Sequence, residues 1–286
     1  MKYIHLRYPG GLCKAVTFSY DDGCRQDIRL AKLFSEHGLK AAFNIRGDAF
    51  ERNEGRITAD EIREYILTPG HEVAIHGHHH VATGAAHPVN AVRETLVSRE
   101  ILERTFDSII RGMAYPDTGI RRFSNGNNYE TVKGILASLG VAYSRTLAGD
   151  NNSFELPTDW YAWMPTAHHN NPNLTAWIDE FLSIDVTKSF ASGKYPRLLK
   201  IWGHSHEFDR NDNWDLIEDI CRRISGKEDI WYATPIEICE YAHAYDSLIF
   251  SADTNKVYNP TCTTVWFYTC AKTYKVSPGE TVLIEE

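Results

Sequence analysis

Cysteine is scarce in this chain. Six residues, Cys13, Cys24, Cys221, Cys239, Cys262 and Cys270, are spread over 286 positions with no Cys-x-x-Cys pair, which argues against a disulfide scaffold. They read as reduced thiols. Long apolar runs are also absent: no stretch approaches the ~18 uninterrupted apolar residues of a membrane span. The opening Met1-Lys2-Tyr3-Ile4-His5-Leu6-Arg7-Tyr8-Pro9-Gly10 lacks the apolar centre of a secretory signal. The expected setting is therefore cytoplasmic, with no membrane partner. Basic charge is in deficit, since 30 Lys and Arg against 38 Asp and Glu give a net charge of −8. A nucleic-acid partner, which calls for a basic footprint, is not expected, and neither is an acidic polymer as substrate. Internal repeats, low-complexity tracts and long Pro- or Ser-rich linkers are missing too. One domain with a short tail is the simplest partition.

What is present is enough for a large core. The chain is 43% apolar, and a globule of this size hides roughly three quarters of the surface exposed by its unfolded chain, so folding needs no metal or disulfide staple. Helical periodicity is clearest at Val132, Ile135, Leu136 and Leu139 before Gly140, and at Leu216, Ile217, Ile220, Cys221 and Ile224 before Gly226. A longer helix is expected from Pro88 to Ile110, with others over Asp27–His37, Ala59–Leu67 and Leu174–Phe190.

Between the helices lie apolar runs that read as buried strands: Ala15–Ser19, Ala41–Asn44, Glu72–Ile75, Met113–Tyr115, Val141–Ser144, Tyr161–Met164, Leu198–Trp202 and Ile230–Ala233. Such alternation marks an α/β fold of repeated βα units, and seven or eight strands point to a closed or nearly closed barrel with its chemistry at the C-terminal strand ends. From about Asp246 the pattern changes to short strands, Leu248–Ser251, Thr264–Thr269 and Val282–Ile284, separated by turns. The expected partition is a barrel over 1–245 and a small β-rich extension over 246–286.

Ionisable residues gather just after those strands. Thr17-Phe18-Ser19-Tyr20-Asp21-Asp22-Gly23 puts two carboxylates after the first strand. Neighbouring side chains leave a strand end in different directions, so one Asp can bind a cation while the other faces a water; taken alone, the segment reads more readily as an Asp-Gly turn. Gly70-His71-Glu72-Val73-Ala74-Ile75-His76-Gly77-His78-His79-His80 follows the third strand. Two neutral imidazoles, His76 and His80, plus one carboxylate make a three-ligand set with positions left open, as catalytic zinc requires. Leu198-Leu199-Lys200-Ile201-Trp202-Gly203-His204-Ser205-His206-Glu207 ends another strand with His204, whose ordinary pKa suits a general acid. His78, His79, His168, His169 and His206 cluster in the same kinds of segment and are given no role.

Asp-Asp-Gly, Gly-His-Glu-Val-x-x-His-x-x-x-His, Ala114-Tyr115-Pro116 and the late strand ending in His204 occur in the order found in the polysaccharide deacetylase family, also called the NodB-homology family or carbohydrate esterase family four. The sequence resembles that family over roughly Cys13 to Tyr241. The resemblance implies a distorted (β/α)7 barrel and a metal-dependent hydrolase that removes acetyl groups from an N-acetylated sugar or oligosaccharide. It implies Asp22, His76 and His80 as metal ligands, Asp21 as general base and His204 as general acid. The loop of Tyr115, Pro116 and Asp117 would meet the substrate, with the Asp117 N–H at the tetrahedral oxygen. Trp160, beside the polar Pro157, Thr158 and Asp159, is a further substrate candidate.

One departure matters. Many members carry an Arg in the third motif that holds the catalytic Asp, and Ala114 stands there, with Arg111, Arg121 and Arg122 as candidate replacements. The ion is expected to be zinc, with iron(II), cobalt and nickel as alternatives for two His and one carboxylate. Two competing readings remain: a hydrolase of another non-peptide C–N bond, in a ureide or cyclic imide, and a catalytically silent carbohydrate-binding protein.

Overall fold

All eight residues from Lys14 to Asp21 are buried, and this strand, β1, organises the molecule. The structure is a computed structural model and describes residues 2–50, 55–147, 151–186 and 195–285. Along β1 the alternation of a strand sends Phe18 and Tyr20 outward against Phe34 of the first helix, Asp27–Glu36. Ser19 and Asp21 point the other way, into the barrel. The following parallel strands are β2 (Ala41–Ile45), β3 (Glu72–Ile75), β4 (Gly112–Ala114), β5 (Tyr143–Arg145), β6 (Ala167–His168), β7 (Arg197–Gly203) and β8 (Ile230–Tyr232).

Their order in the sheet is β5-β4-β3-β2-β1-β7-β6, with β8 on the lower part of β1 where β2 does not reach. The open side between β5 and β6 is spanned by one segment. Trp163 bridges to Arg145 of β5, and four residues later Ala167 pairs with Ile201 of β7. The parallel sheet thus curls into a distorted barrel, its outer layer formed by helices that include Asp27–Glu36, Pro88–Phe106, Tyr129–Ser138, Leu174–Ser183 and Trp214–Ile224.

Several expected elements are adjusted. The predicted strand Tyr161–Met164 is a single turn of 3₁₀ helix at Trp160–Ala162, because Asp159 Oδ1 accepts from Tyr161 N and caps it; the strand comes later, at Ala167–His168. The helix begun at Pro88 ends at Phe106, where Asp107 takes a left-handed conformation (φ 50°), rather than at Ile110. The helix expected over Leu174–Phe190 ends at Ser183, and 187–190 lie outside the described residues. Ala59–Leu67 is α-helical only to Ile62 and widens to a π-helix at Arg63–Leu67. A helix absent from the sequence reading, Pro235–Asp246, opens with a capping box between Thr234 and Glu237.

The last forty residues form two small antiparallel sheets. One joins Ile249–Phe250, Lys256–Tyr258 and Thr281–Leu283; the other joins Val265–Thr269 and Lys272–Val276 to His5–Arg7 at the start of the chain. The terminal β segment is therefore stitched to the N-terminus by a strand pair. All six cysteines are free, and no helix among the described residues is long and apolar enough to cross a membrane.

Candidate active site and metal centre

Five of the expected residues converge at the C-terminal ends of the strands. Register does most of the placing. Asp21 pairs with Asn44 across β1 and β2, and Asn44 Nδ2 donates to Asp21 Oδ1 at 2.8 Å and to Ser19 Oγ at 2.9 Å. The ladder continues one step further through Asp22 N to Asn44 O and His76 N to Ile45 O. Asp22 then turns with φ 84° and His80 with φ 63°. Positive φ at a non-glycine residue costs of order 1–3 kcal/mol and is retained where the surroundings impose it.

Loop His76–His80 is held from outside the barrel. Glu94, buried in the helix Pro88–Phe106, accepts from His78 N at 3.0 Å and His79 N at 2.8 Å. Gly77 permits the turn at φ 69°, with Glu94 and Pro116 too close for a free side chain. The backbones of His78 and His79 thereby anchor the loop, and His80 is delivered to the site.

His76 Nδ1 lies 3.0 Å from the Ala114 carbonyl. A carbonyl only accepts, so Nδ1 carries the proton and Nε2 presents a lone pair inward. Burial pushes this imidazole down to about 4 against the pull of Asp21 and Asp22, which keeps it in the neutral, ligating form. His76 Nε2 is 3.8 Å and His80 Nε2 is 3.6 Å from Asp22 Oδ1. Although buried, neither His76 Nε2 nor Asp22 Oδ1 has a hydrogen-bond partner. Orphaned acceptors facing each other with no proton between them are costly, and a cation held between them would remove the conflict. The donor set Asp22, His76 and His80 lies within 4.8 Å throughout and fits a divalent ion with open positions.

Asp21 is set apart from that triad by Arg145. The guanidinium, fully buried, donates NH2 to Asp21 Oδ2 and Nε to Ser19 Oγ, while its plane lies 4.3 Å from the Trp202 ring. Burial alone would raise the Asp21 carboxyl. Arg145, with His76 and His204, outweighs it and holds the group down at about 2. The residue that stands in for the missing motif Arg is thus Arg145, and none of the three candidates named from sequence. Arg111 instead meets Glu240 and the Gly140 carbonyl.

His204 faces Asp21 from the other side, its Nε2 3.9 Å from Asp21 Oδ2 and its Nδ1 3.4 Å from Glu207 Oε1. Glu207, which the sequence reading passed over, is a hub: His169 Nε2 lies 3.0 Å and His168 Nε2 3.3 Å from its Oε2, and Asn170 Nδ2 donates to it at 3.1 Å. Burial opposes a charge on His204, but the carboxylates of Glu207, Asp21 and Asp22 prevail and raise its pKa. Gly203 is needed for this packing, because a Cβ there would sit 2.0 Å from His169 Nδ1.

The expected substrate contacts divide. Pro116 and Tyr115 are buried, and the Tyr115 hydroxyl is spent on the Tyr161 carbonyl at 2.8 Å. Asp117 is exposed, with φ 49°, in the loop after β4. Trp160 is not brought to the site. It packs on Trp163 and His243 in the cluster built on Tyr8, Ala15, Leu198 and Ile238, residues near the starts of the strands and on the last helix. The aromatic that does reach the site is Trp202, which lies against the Arg145 guanidinium and meets the His168 ring edge to face.

The parallel barrel thus carries at its strand ends an Asp-His-His donor group that could hold a metal ion, flanked by an Asp–His pair. The sequence model of the polysaccharide deacetylase family matches residues 9–143, so the resemblance to that family is shown over just under half of the chain. The match stops two residues short of Arg145 and well before His204. No curated protein matches the sequence. Among solved structures, the fold is similar to a putative polysaccharide deacetylase from Mycobacterium smegmatis, at 16% identity and TM-score 0.57 over 85% of this chain and 94% of that one. It is also similar to Puue allantoinase, at 15% identity and TM-score 0.59 over 83% and 92%. With the Streptococcus pyogenes deacetylase PplD the likeness is partial, at 18% identity and TM-score 0.41, spanning 46% of this chain and 55% of that one.

Proposed function

We propose that the protein is a metal-dependent deacetylase acting on an N-acetylated sugar or short oligosaccharide. The observation that carries this reading is the pair of unsatisfied buried acceptors, Asp22 Oδ1 and His76 Nε2, beside a second carboxylate that Arg145 keeps ionised. A divalent ion held by Asp22, His76 and His80 would supply Lewis acidity toward the acetamide carbonyl and a lowered pKa for water.

The chain's own groups account for the proton movements. Asp21 Oδ2 takes the proton of the water as its oxygen bonds to the carbonyl carbon. The Asp117 N–H donates to the oxygen that gains charge. His204 Nε2 then gives its proton to the sugar nitrogen as the C–N bond breaks, releasing acetate and a free amine. Glu207, 3.4 Å from Nδ1 on the other edge of the ring, raises its pKa.

The reading is tested by incubating the metal-loaded protein with N-acetylated amino sugars and their short oligomers, and separately with ureides and cyclic imides. Acetate release with matching free amine is expected. Turnover of a ureide or imide alone moves the assignment to another C–N bond, and turnover of neither by metal-loaded protein leaves only carbohydrate binding.

Glu207 gives a sharper check. His204 must be protonated to act as acid, so activity falls as pH rises through its pKa, which Glu207 elevates. Glu207→Gln is expected to move the alkaline limb of the kcat profile to lower pH, leaving bound metal unchanged. An unmoved limb removes Glu207 from this role.

A further inference from the structure

Two residues beyond Asp22, a second set of ligating atoms closes on the same carboxylate from the other side. Cys24 Sγ lies 3.5 Å from His206 Nδ1, and the donor atoms of Asp22, Cys24 and His206 all fall within 4.8 Å of one another. Cys24 is buried, at 8% exposure, and its backbone is fixed by a bridge to Arg56. His206 arrives independently, from the start of the short helix His206–Arg210 after β7. The mechanism above uses neither residue.

A second carboxyl lies beside the set, and burial raises its pKa to about 8. Asp27 is fully buried; its Oδ1 accepts from Ser205 Oγ at 2.5 Å, and its Oδ2 has no partner. Asp21 has the buried Arg145, whereas on this side Arg56 directs NH1 to the Asp22 carbonyl at 2.6 Å and lies 3.7 Å from Cys24 Sγ. Burial, with Asp27 and Asp22, raises the Cys24 thiol against the pull of Arg56, so a bound cation must itself displace the thiol proton.

We propose that Asp22, Cys24 and His206 form a second divalent-cation site, coupled to the first through the shared Asp22 carboxylate. The proposal deepens the reading above and rests on Asp22 being a ligand there. Thiolate, imidazole and carboxylate together select zinc or cobalt over magnesium or calcium, which take oxygen. Binding displaces the thiol proton, and Asp22 bridges two cations as carboxylates do in two-metal hydrolases.

The test is titration of chelator-treated protein with cobalt(II), read by bound metal per chain and by the thiolate-to-cobalt charge-transfer band in the near ultraviolet. Two ions per chain and the band are expected. Cys24→Ser should bind one ion and lose the band. His76→Ala should also bind one ion but keep it. His206→Asn, at a partly exposed position, should weaken the band-forming ion at least tenfold in affinity and serves if Cys24→Ser fails to fold by circular dichroism. One ion and no band in the wild type, with none in His76→Ala, overturns the second site and leaves the first intact. A band that survives Cys24→Ser also overturns it, because the exposed Cys262 and Cys270 would then be its source. A single band-forming ion that His76→Ala does not touch supports the thiolate site and removes the first instead.

Discussion

Asp21→Asn is expected to retain its cation and lose roughly 10²–10⁴-fold in kcat, the range for removing a positioned general base. The substitution keeps the size of the side chain and its contact with Asn44, but an amide cannot take the proton of the attacking water. His76→Ala should behave differently and lose both cation and turnover, because Nε2 of that ring is one of the two orphaned acceptors in the pocket. Measuring bound metal and kcat on the same samples separates the two roles. Near-normal turnover in metal-loaded Asp21→Asn would overturn the assignment of Asp21 as base.

Arg145→Met should be the most damaging single change to stability. The guanidinium and the Asp21 carboxylate are both fully buried, and removing one partner of such a pair typically costs about 3–5 kcal/mol because the other charge is left in a dry interior. For a chain of this size that corresponds to a fall of roughly 6–20 °C in Tm. The pH dependence has a definite sign. Asp21 has a native pKa of about 2, below its ordinary 3.8, so its contribution to stability is present above about pH 4 and lost as pH falls through the native value. Arg145→Met forfeits that contribution, and the acid limb of activity should move to higher pH as Asp21 becomes easier to protonate. An unchanged Tm together with an unmoved acid limb would contradict the account.

The site was legible in the sequence where its residues sit immediately after strands. Asp21, Asp22, His76, His80 and His204 each follow a buried run by at most a few positions, and the barrel brings such ends together. Arg145 was less legible for a physical reason. It lies one residue past the expected strand end at Ser144, with Tyr143 and Arg145 on the same inward face, but its partner is 124 positions away across the barrel interior, and nothing local names it. Trp160 misled because its polar neighbours resembled a pocket loop. Asp159 is in fact consumed by capping the 3₁₀ turn and by Lys133 at 2.7 Å, and the ring packs toward the strand starts. The helix Pro235–Asp246 did carry a readable signal, Thr234-Pro235-Ile236-Glu237, a capping box with proline in the first turn. The pairing of His5–Arg7 with Val265–Thr269 had none, since a three-residue strand leaves no periodicity to read.

The most direct measurement is anomalous diffraction from crystals grown with zinc, recorded on both sides of the zinc absorption edge. A peak among Asp22 Oδ1, His76 Nε2 and His80 Nε2, with Asp21 beside it and still bound to Arg145, is the predicted result. A map with no peak there, and Asp22 rotated away from the two imidazoles, would contradict the account at its root.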